Sequence, residues 1–146
     1  MSFLKSLNIS GSALTAQKFR MDIISQNIAN AKTTRTENGE PYRRRITILS
    51  EKTDKQDFKS SLSAAMEDNS PQGVVVSQIV EDQSDFVAEY SPEHPHADEN
   101  GYVMLPNVNT VQEMIDMMSA SRAYEANITA FNATKSMAQN ALDIGR

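Results

Sequence analysis

The side chains best suited to chemistry cluster in one loop-like stretch, Glu93-His94-Pro95-His96-Ala97-Asp98-Glu99-Asn100, which holds both histidines of the chain. Imidazoles one residue apart beside carboxylates are the ligand types of a transition-metal site. Pro95 fixes a turn between them, and the spacing specifies no third strong ligand. A structured loop with no metal is therefore expected. Asp98-Glu99-Asn100-Gly101 has the composition of a calcium loop but lacks its 12-residue spacing and closing glutamate. A second cluster, Arg43-Arg44-Arg45 beside Tyr42, has the charge for phosphate binding. A pI near 5.0 speaks against nucleic acid, which needs a concentrated positive field. In an extended segment these arginines alternate, with Arg43 and Arg45 on one side and Arg44 on the other. Protein–protein salt bridges or a solvated strand are expected instead. There is no phosphate-cradling glycine loop, nucleophile elbow or HExxH, and with no cysteine there is no thiol chemistry. An enzyme is not expected, and neither is a cofactor.

The elements that position these clusters are two helices and a β-prone middle. From Phe3 to Ala31, Leu4, Leu7, Leu14, Met21 and Ile28 fall on a three–four ladder. Leu7, Leu14, Met21 and Ile28 repeat strictly every seven residues. At the other end Pro106 precedes Thr110-Val111-Gln112-Glu113, which fits a capping box. Met114, Met117, Tyr124, Ile128, Phe131 and Leu142 follow a second ladder, with Gly145 as a stop. A helix of about 33 residues spans about 50 Å, too long for the core of a small globule, so it wants a partner helix. Between the helices, Tyr42 to Leu49, Val74 to Val80, Phe86 to Tyr90 and Gly101 to Met104 are β-prone. Asn38-Gly39 and Asn100-Gly101 mark turns. Glu51 to Gly73 is a polar insert with a short helix around Leu62 to Met66.

The expected fold is mainly α with a small β-rich middle. Long N- and C-terminal helices pair as a coiled-coil-like stem, and a β-hairpin and loop segment lies between them. The divisions are 1–34 for the first stem helix, 35–105 for the middle with its insert at 51–73, and 106–146 for the second stem helix.

Composition agrees with helices that pack on partners. Only 39% of 146 residues are hydrophobic, tryptophan is absent, and there are 8 methionines, the flexible fillers of helix contacts. The first residues lack an apolar core of signal-peptide length, so no cleavable secretory signal is expected, and no run approaches a membrane span. Charge is divided along the chain. Residues 1–59 carry 11 Lys/Arg against 6 Asp/Glu, and residues 60–146 carry 3 against 13. No lysine or arginine lies between Ser60 and Ser121. Such a dipole suits head-to-tail complementarity within or between subunits.

Asn27 and Asn30 stand in Ser25-Gln26-Asn27-Ile28-Ala29-Asn30-Ala31-Lys32-Thr33-Thr34, where the first helix ends. They read equally well as amides at a fraying helix end and as hydrogen-bonding groups that set register against a neighbour.

These residues also carry a resemblance. Asn27-Ile28-Ala29-Asn30-Ala31-Lys32-Thr33-Thr34 resembles the N-terminal signature of bacterial flagellar rod and hook proteins. Glu99 to Asn109 and Ser119-Ala120-Ser121-Arg122-Ala123-Tyr124-Glu125-Ala126-Asn127 resemble their C-terminal part. Pro41-Tyr42-Arg43-Arg44 and the His94-Pro95 stretch narrow the resemblance to the proximal-rod proteins of the basal body. It covers residues 1–48 and 88–146 and departs at 50–85.

The resemblance implies a structural subunit that assembles helically into a hollow drive shaft, transmitting torque and letting export substrates pass. Its implied partners are the rod proteins FlgB, FlgF and FlgG, FliE, the MS ring protein FliF and other copies of itself. The flagellar type III export apparatus carries it to the periplasmic rod. Asn27, Asn30, Arg122, Tyr124, Glu125 and Asn127 are then expected to make specific assembly or register contacts. The alternative reading is a soluble helical adaptor or chaperone of a secretion system.

Overall fold

A computed structural model describes residues 3–52 and 73–144. The chain runs through helix α1 (Phe3–Ala29), strands β1 (Arg45–Glu51), β2 (Val74–Glu81), β3 (Val87–Tyr90) and β4 (Tyr102–Leu105), and helix α2 (Thr110–Ile144). Two long terminal helices thus flank a β-rich middle, as the hydrophobic patterns predict. Most of the 51–73 insert, with its expected short helix, lies outside the described residues.

α1 and α2 pack on each other, and the β1–β2 ribbon packs on α1. Besides Asn27, burial is deep at Ala16 and Ile23 of α1, seven residues apart, and at Glu113 and Ala120 of α2, also seven apart. Seven-residue spacing keeps these positions on one seam. Two alanines among them let the backbones approach closely. The heptad-spaced Leu7, Leu14, Met21 and Ile28 are half-buried beside this seam.

α1 stops at the amides. Asn30 N–H still donates to the Gln26 carbonyl at 3.0 Å, but Thr33 N–H bonds the Asn30 carbonyl and the chain turns outward. The loop at 36–40 closes with Gly39 at φ 83°, a left-handed conformation that glycine adopts without a Cβ clash.

β1 and β2 form an antiparallel ribbon, Arg45 opposite Glu81 and Glu51 opposite Val74, with a bulge at Ile48/Leu49. The strand starts three residues later than the β-prone Tyr42, because Tyr42 and Arg44 turn their side chains into the helix pair. Lys52 N–H donates to the Gly73 carbonyl at 2.9 Å, closing the ribbon's far end. That end is fixed to α1: Ser12 Oγ accepts from Val74 N–H at 3.0 Å and donates to the Ile9 carbonyl at 2.8 Å. Gly73 (φ 122°) lies so close that an added Cβ would fall 2.2 Å from Ser12 Oγ.

β3 and β4 form a second antiparallel pair, Val87 opposite Leu105 and Tyr90 opposite Tyr102. Its inner face buries Val103. α2 then begins differently from its expected capping box. Asn109 is the cap, its Oδ1 accepting from Val111 N–H at 3.0 Å and Gln112 N–H at 3.2 Å. Glu113 points inward instead, and its role there is the centre of the site.

Candidate functional site: a buried polar pin between the terminal helices

The two largest fully buried side chains among the described residues are both polar: Asn27 and Glu113, each 1% exposed. Burying an amide and a carboxylate is unfavourable unless every hydrogen-bonding group finds a partner. Here each does. Asn27 Nδ2 donates to the Arg45 carbonyl at 2.9 Å and to Glu113 Oε2 at 3.0 Å. Asn27 Oδ1 accepts from Tyr42 Oη at 2.9 Å and from Arg45 N–H at 3.0 Å. Two donors and two acceptor positions are the whole capacity of an amide. The last turn of α1 is thereby tied to the entry of β1 and to the first turn of α2, which makes the helices antiparallel.

Glu113 receives its second partner from Arg44, whose Nε lies 2.6 Å from Oε1. The same guanidinium reaches Asp116 at 3.4 Å and Asp82 at 3.7 Å. A charged hydrogen bond of this length to a buried carboxylate is among the stronger polar contacts, and breaking it strands a buried charge. The backbone joins in. Arg44 N–H donates to Asn107 Oδ1 at 2.8 Å, and Asn107 Nδ2 donates to the carbonyls of Asp82 and Ser84 at 3.0 and 3.2 Å. The network therefore spans α1, β1, the β2–β3 connection and the start of α2. Beside it is a cavity of about 70 Å³, lined by Arg20, Ile23, Ile24, Ile46, Glu113 and Asp116 among others. That is room for about two waters.

Two groups of the network titrate away from their ordinary values. Burial pushes the Tyr42 hydroxyl above 10.0; the Arg45 charge opposes this, and Glu113 and Glu81 add to it. Asp82 is held below the usual 3.8, first by the Ser84 backbone N–H, then by the Ser84 hydroxyl and Arg44. The flanking arginines take separate places. Arg43 stacks over Phe86 with its guanidinium carbon 4.3 Å from the ring centre, and Arg45 lies 5.8 Å over Tyr42 and 3.9 Å from Glu81.

The other candidates divide clearly. Asn30 bonds within its own turn, donating to the Gln26 carbonyl at 2.9 Å and accepting from Thr33 Oγ1 at 3.2 Å. Asn127 likewise donates to the Ala123 carbonyl at 2.8 Å. Arg122 and Glu125 are exposed on α2, while Tyr124, Met117 and Phe131 are half-buried. Leu4 (67%), Met114 (55%) and Leu142 (75%) are exposed, and Ile128 stands at the edge of exposure, so these four add little to the contact within one subunit. His94 Nδ1 accepts from His96 N–H at 3.1 Å. His96 Nδ1 is bonded to Thr34 Oγ1 at 2.8 Å. Asp98 Oδ1 accepts from the N–H groups of Asn100 and Tyr102, both at 2.9 Å, and so serves the β3–β4 loop. Glu113 and Asn107 were not singled out by the sequence. Glu113 matched a cap, and a carboxylate serving a cap has the same spacing as one turned inward.

The pinned elements match known proteins at the same places. The family model described as "Flagella basal body rod protein" matches residues 7–35, which contain Asn27 and Asn30. The one described as "Flagellar basal body rod FlgEFG protein C-terminal" matches residues 99–144, which contain Asn107 and Glu113. The flagellar basal-body rod protein FlgC of Bacillus subtilis is 49% identical over the full length of both chains. The chain belongs to the FlgC family. Its similarity extends to FlgC of Borreliella burgdorferi, at 46% identity over 99% of this chain and 98% of that one. FlgC of Salmonella typhimurium is 38% identical over the full length of both. As a FlgC-family member the chain is a structural subunit of the proximal rod of the flagellar basal body and assembles with other rod components. No helix among the described residues is long and apolar enough to cross a membrane.

Proposed function

We propose that α1 and α2 form the inner wall of the hollow rod, and that the polar pin holds them in one register while their outer faces bind neighbouring subunits. The observation that carries this is the uncovered apolar surface of α2. Val111, Met114, Ile115, Met118, Met137, Leu142 and Ile144 are 49–86% exposed in a single chain. A subunit that worked alone would leave a helix of this length poorly covered. The ladder residues Leu4, Met114, Ile128 and Leu142 meet their partners on adjacent copies in this reading. Leu7, Leu14, Met21, Ile28, Met117, Tyr124 and Phe131 support them from inside. Arg122 and Glu125 are contacts between subunits, whereas Asn27, Asn30 and Asn127 act within one.

The neighbours are copies of this chain and FlgB, FlgF, FlgG, FliE and the MS ring protein FliF. The subunit reaches the periplasmic rod through the flagellar type III export apparatus without a cleaved signal, and it performs no catalysis. Unassembled ends with so little cover order on binding. The test is a Met137→Glu/Leu142→Glu variant, altered only at exposed positions. Its purified form should match wild type in circular dichroism, while cells carrying it in place of wild type should not swim. Normal swimming would overturn the inner-wall assignment.

A further inference from the structure

The β-rich middle carries two exposed faces that complement each other. Alternation along β3 and β4 places Ala88, Tyr90, Tyr102 and Met104 on the face opposite buried Val103. Tyr90 is 66%, Tyr102 45% and Met104 48% exposed. The two tyrosines already meet edge-to-face, with ring centres 5.3 Å apart. A rigid pair of tyrosines beside a methionine is the composition of an interface centre. The loop that joins the two strands carries exposed Glu93 and Glu99, in a stretch with no lysine or arginine from Ser60 to Ser121.

The second face is the outer side of the β1–β2 ribbon. Register puts Ile46 and Ile48 of β1 with Val80 and Gln78 of β2 on one side. Ile46, Ile48 and Val80 are 38–40% exposed. Ile46 also lines the 70 Å³ cavity, beside half-buried Arg20 and the carboxylates of Glu113 and Asp116. Arg20 makes no ion pair among the described residues.

We propose that the β3–β4 face of one copy seats on the β1–β2 face of the next copy, Tyr90, Tyr102 and Met104 over Ile46, Ile48 and Val80, with Glu93 and Glu99 turned towards Arg20. The occupant is a second copy because the chain supplies both halves, acidic and aromatic on one, basic and aliphatic on the other. Two different patches make a heterologous contact, which propagates into a helix rather than closing a dimer. The contact lies outside the helix stem, and it rests on this chain assembling with copies of itself.

The absence of cysteine makes the test clean. Full-length chain carrying both Ala88→Cys and Gln78→Cys replaces wild type in cells, and purified basal bodies are treated with a short bis-maleimide. The expected result is a ladder at multiples of 16.2 kDa, absent from either single variant. Arg20→Glu should lower the ladder yield about tenfold, as should Glu93→Lys/Glu99→Lys, and the combination should restore it. Monomer alone from basal bodies of swimming cells overturns the proposal while leaving the rod function intact. So does an adduct of another mass, which would give the face to a different rod protein. If the double variant does not assemble, the purified single variants are mixed and cross-linked. A heterodimer supports the contact, and its absence, or homodimers of Ala88→Cys alone, overturns it.

Discussion

Asn27 and Asn30 share one motif and one helix end, yet their environments predict opposite outcomes on truncation. Asn27→Ala removes four hydrogen bonds at a position 1% exposed. Such a bond contributes about 1 kcal/mol net where its partner regains water, and a buried partner left unpaired costs about 1–3 kcal/mol instead. The Arg45 backbone lies near the surface and regains water in part, whereas buried Tyr42 and Glu113 do not. At the low end of these figures the sum is about 3–4 kcal/mol, a large part of the roughly 5–15 kcal/mol that holds a domain folded. Asn30→Ala removes two bonds within one exposed turn and should cost under about 1 kcal/mol. Asn27→Asp keeps the shape but replaces both donors with a charge facing Glu113, and should cost at least as much as Asn27→Ala. Urea titration of the purified full-length proteins, followed by far-ultraviolet circular dichroism, measures all three. With a slope of about 2 kcal/mol/M, the Asn27 variants should lose about 1.5–2 M in midpoint and Asn30→Ala under about 0.5 M. Midpoints for Asn27→Ala and Asn30→Ala within 0.3 M of each other, a margin of about 0.6 kcal/mol, would refute the reasoning.

Other perturbations address the remaining parts of the pin. Glu113→Gln puts an amide donor against either Arg44 Nε or Asn27 Nδ2 and should cost about 2–3 kcal/mol in the same titration, with Asp116→Asn well below it because Asp116 is partly solvated. Tyr42 has its hydroxyl raised in the folded chain, so its contribution is complete below about pH 10 and is lost as pH rises through the folded value. Thermal melts between pH 8 and 11 should fall on the alkaline side, and Tyr42→Phe should flatten that limb. Asp82 is depressed, so its contribution is present above the unfolded value near 3.8 and disappears as pH falls through the folded one. Asp82→Asn should therefore be less acid-sensitive than wild type below pH 4. Gly73→Ala strains a left-handed glycine and drives a methyl into Ser12 Oγ, so it should cost about 2–3 kcal/mol, and adding Ser12→Gly should recover only the steric share.

Periodic features were legible in the sequence, and features set by depth were not. Seven-residue spacing announced both helices, and Asn38-Gly39 and Asn100-Gly101 announced turns that the structure closes with glycines at φ 83° and 80°. The phase of the seam was not legible. Leucine and methionine outrank alanine on any hydrophobic scale, so the ladders followed Leu14 and Met21 and Met114 and Met117. Deep burial went instead to Ala16, Ile23, Asn27, Glu113 and Ala120, where close backbones leave room for small residues and for one paired amide and carboxylate. Glu113 shows why. Thr110 to Glu113 satisfies a capping rule locally, but Asn109 already supplies the cap, which frees the glutamate for Arg44 and Asn27. Only the fold says which of two local solutions is used.

The choice has a mechanical consequence. An apolar seam of alanines and isoleucines resists sliding weakly, since a shift of a few ångströms exchanges one apolar contact for another. The pin cannot slide, because moving α2 along α1 would separate Glu113 from both Asn27 and Arg44 and leave a charge buried without partners. Arg44 also reaches Asp82, and its backbone reaches Asn107, so sliding the helices would disturb the β-rich middle as well. Placing the least exchangeable contacts where α1, β1 and α2 meet makes one subunit behave as a single stiff body, so that deformation under load falls on the contacts between subunits.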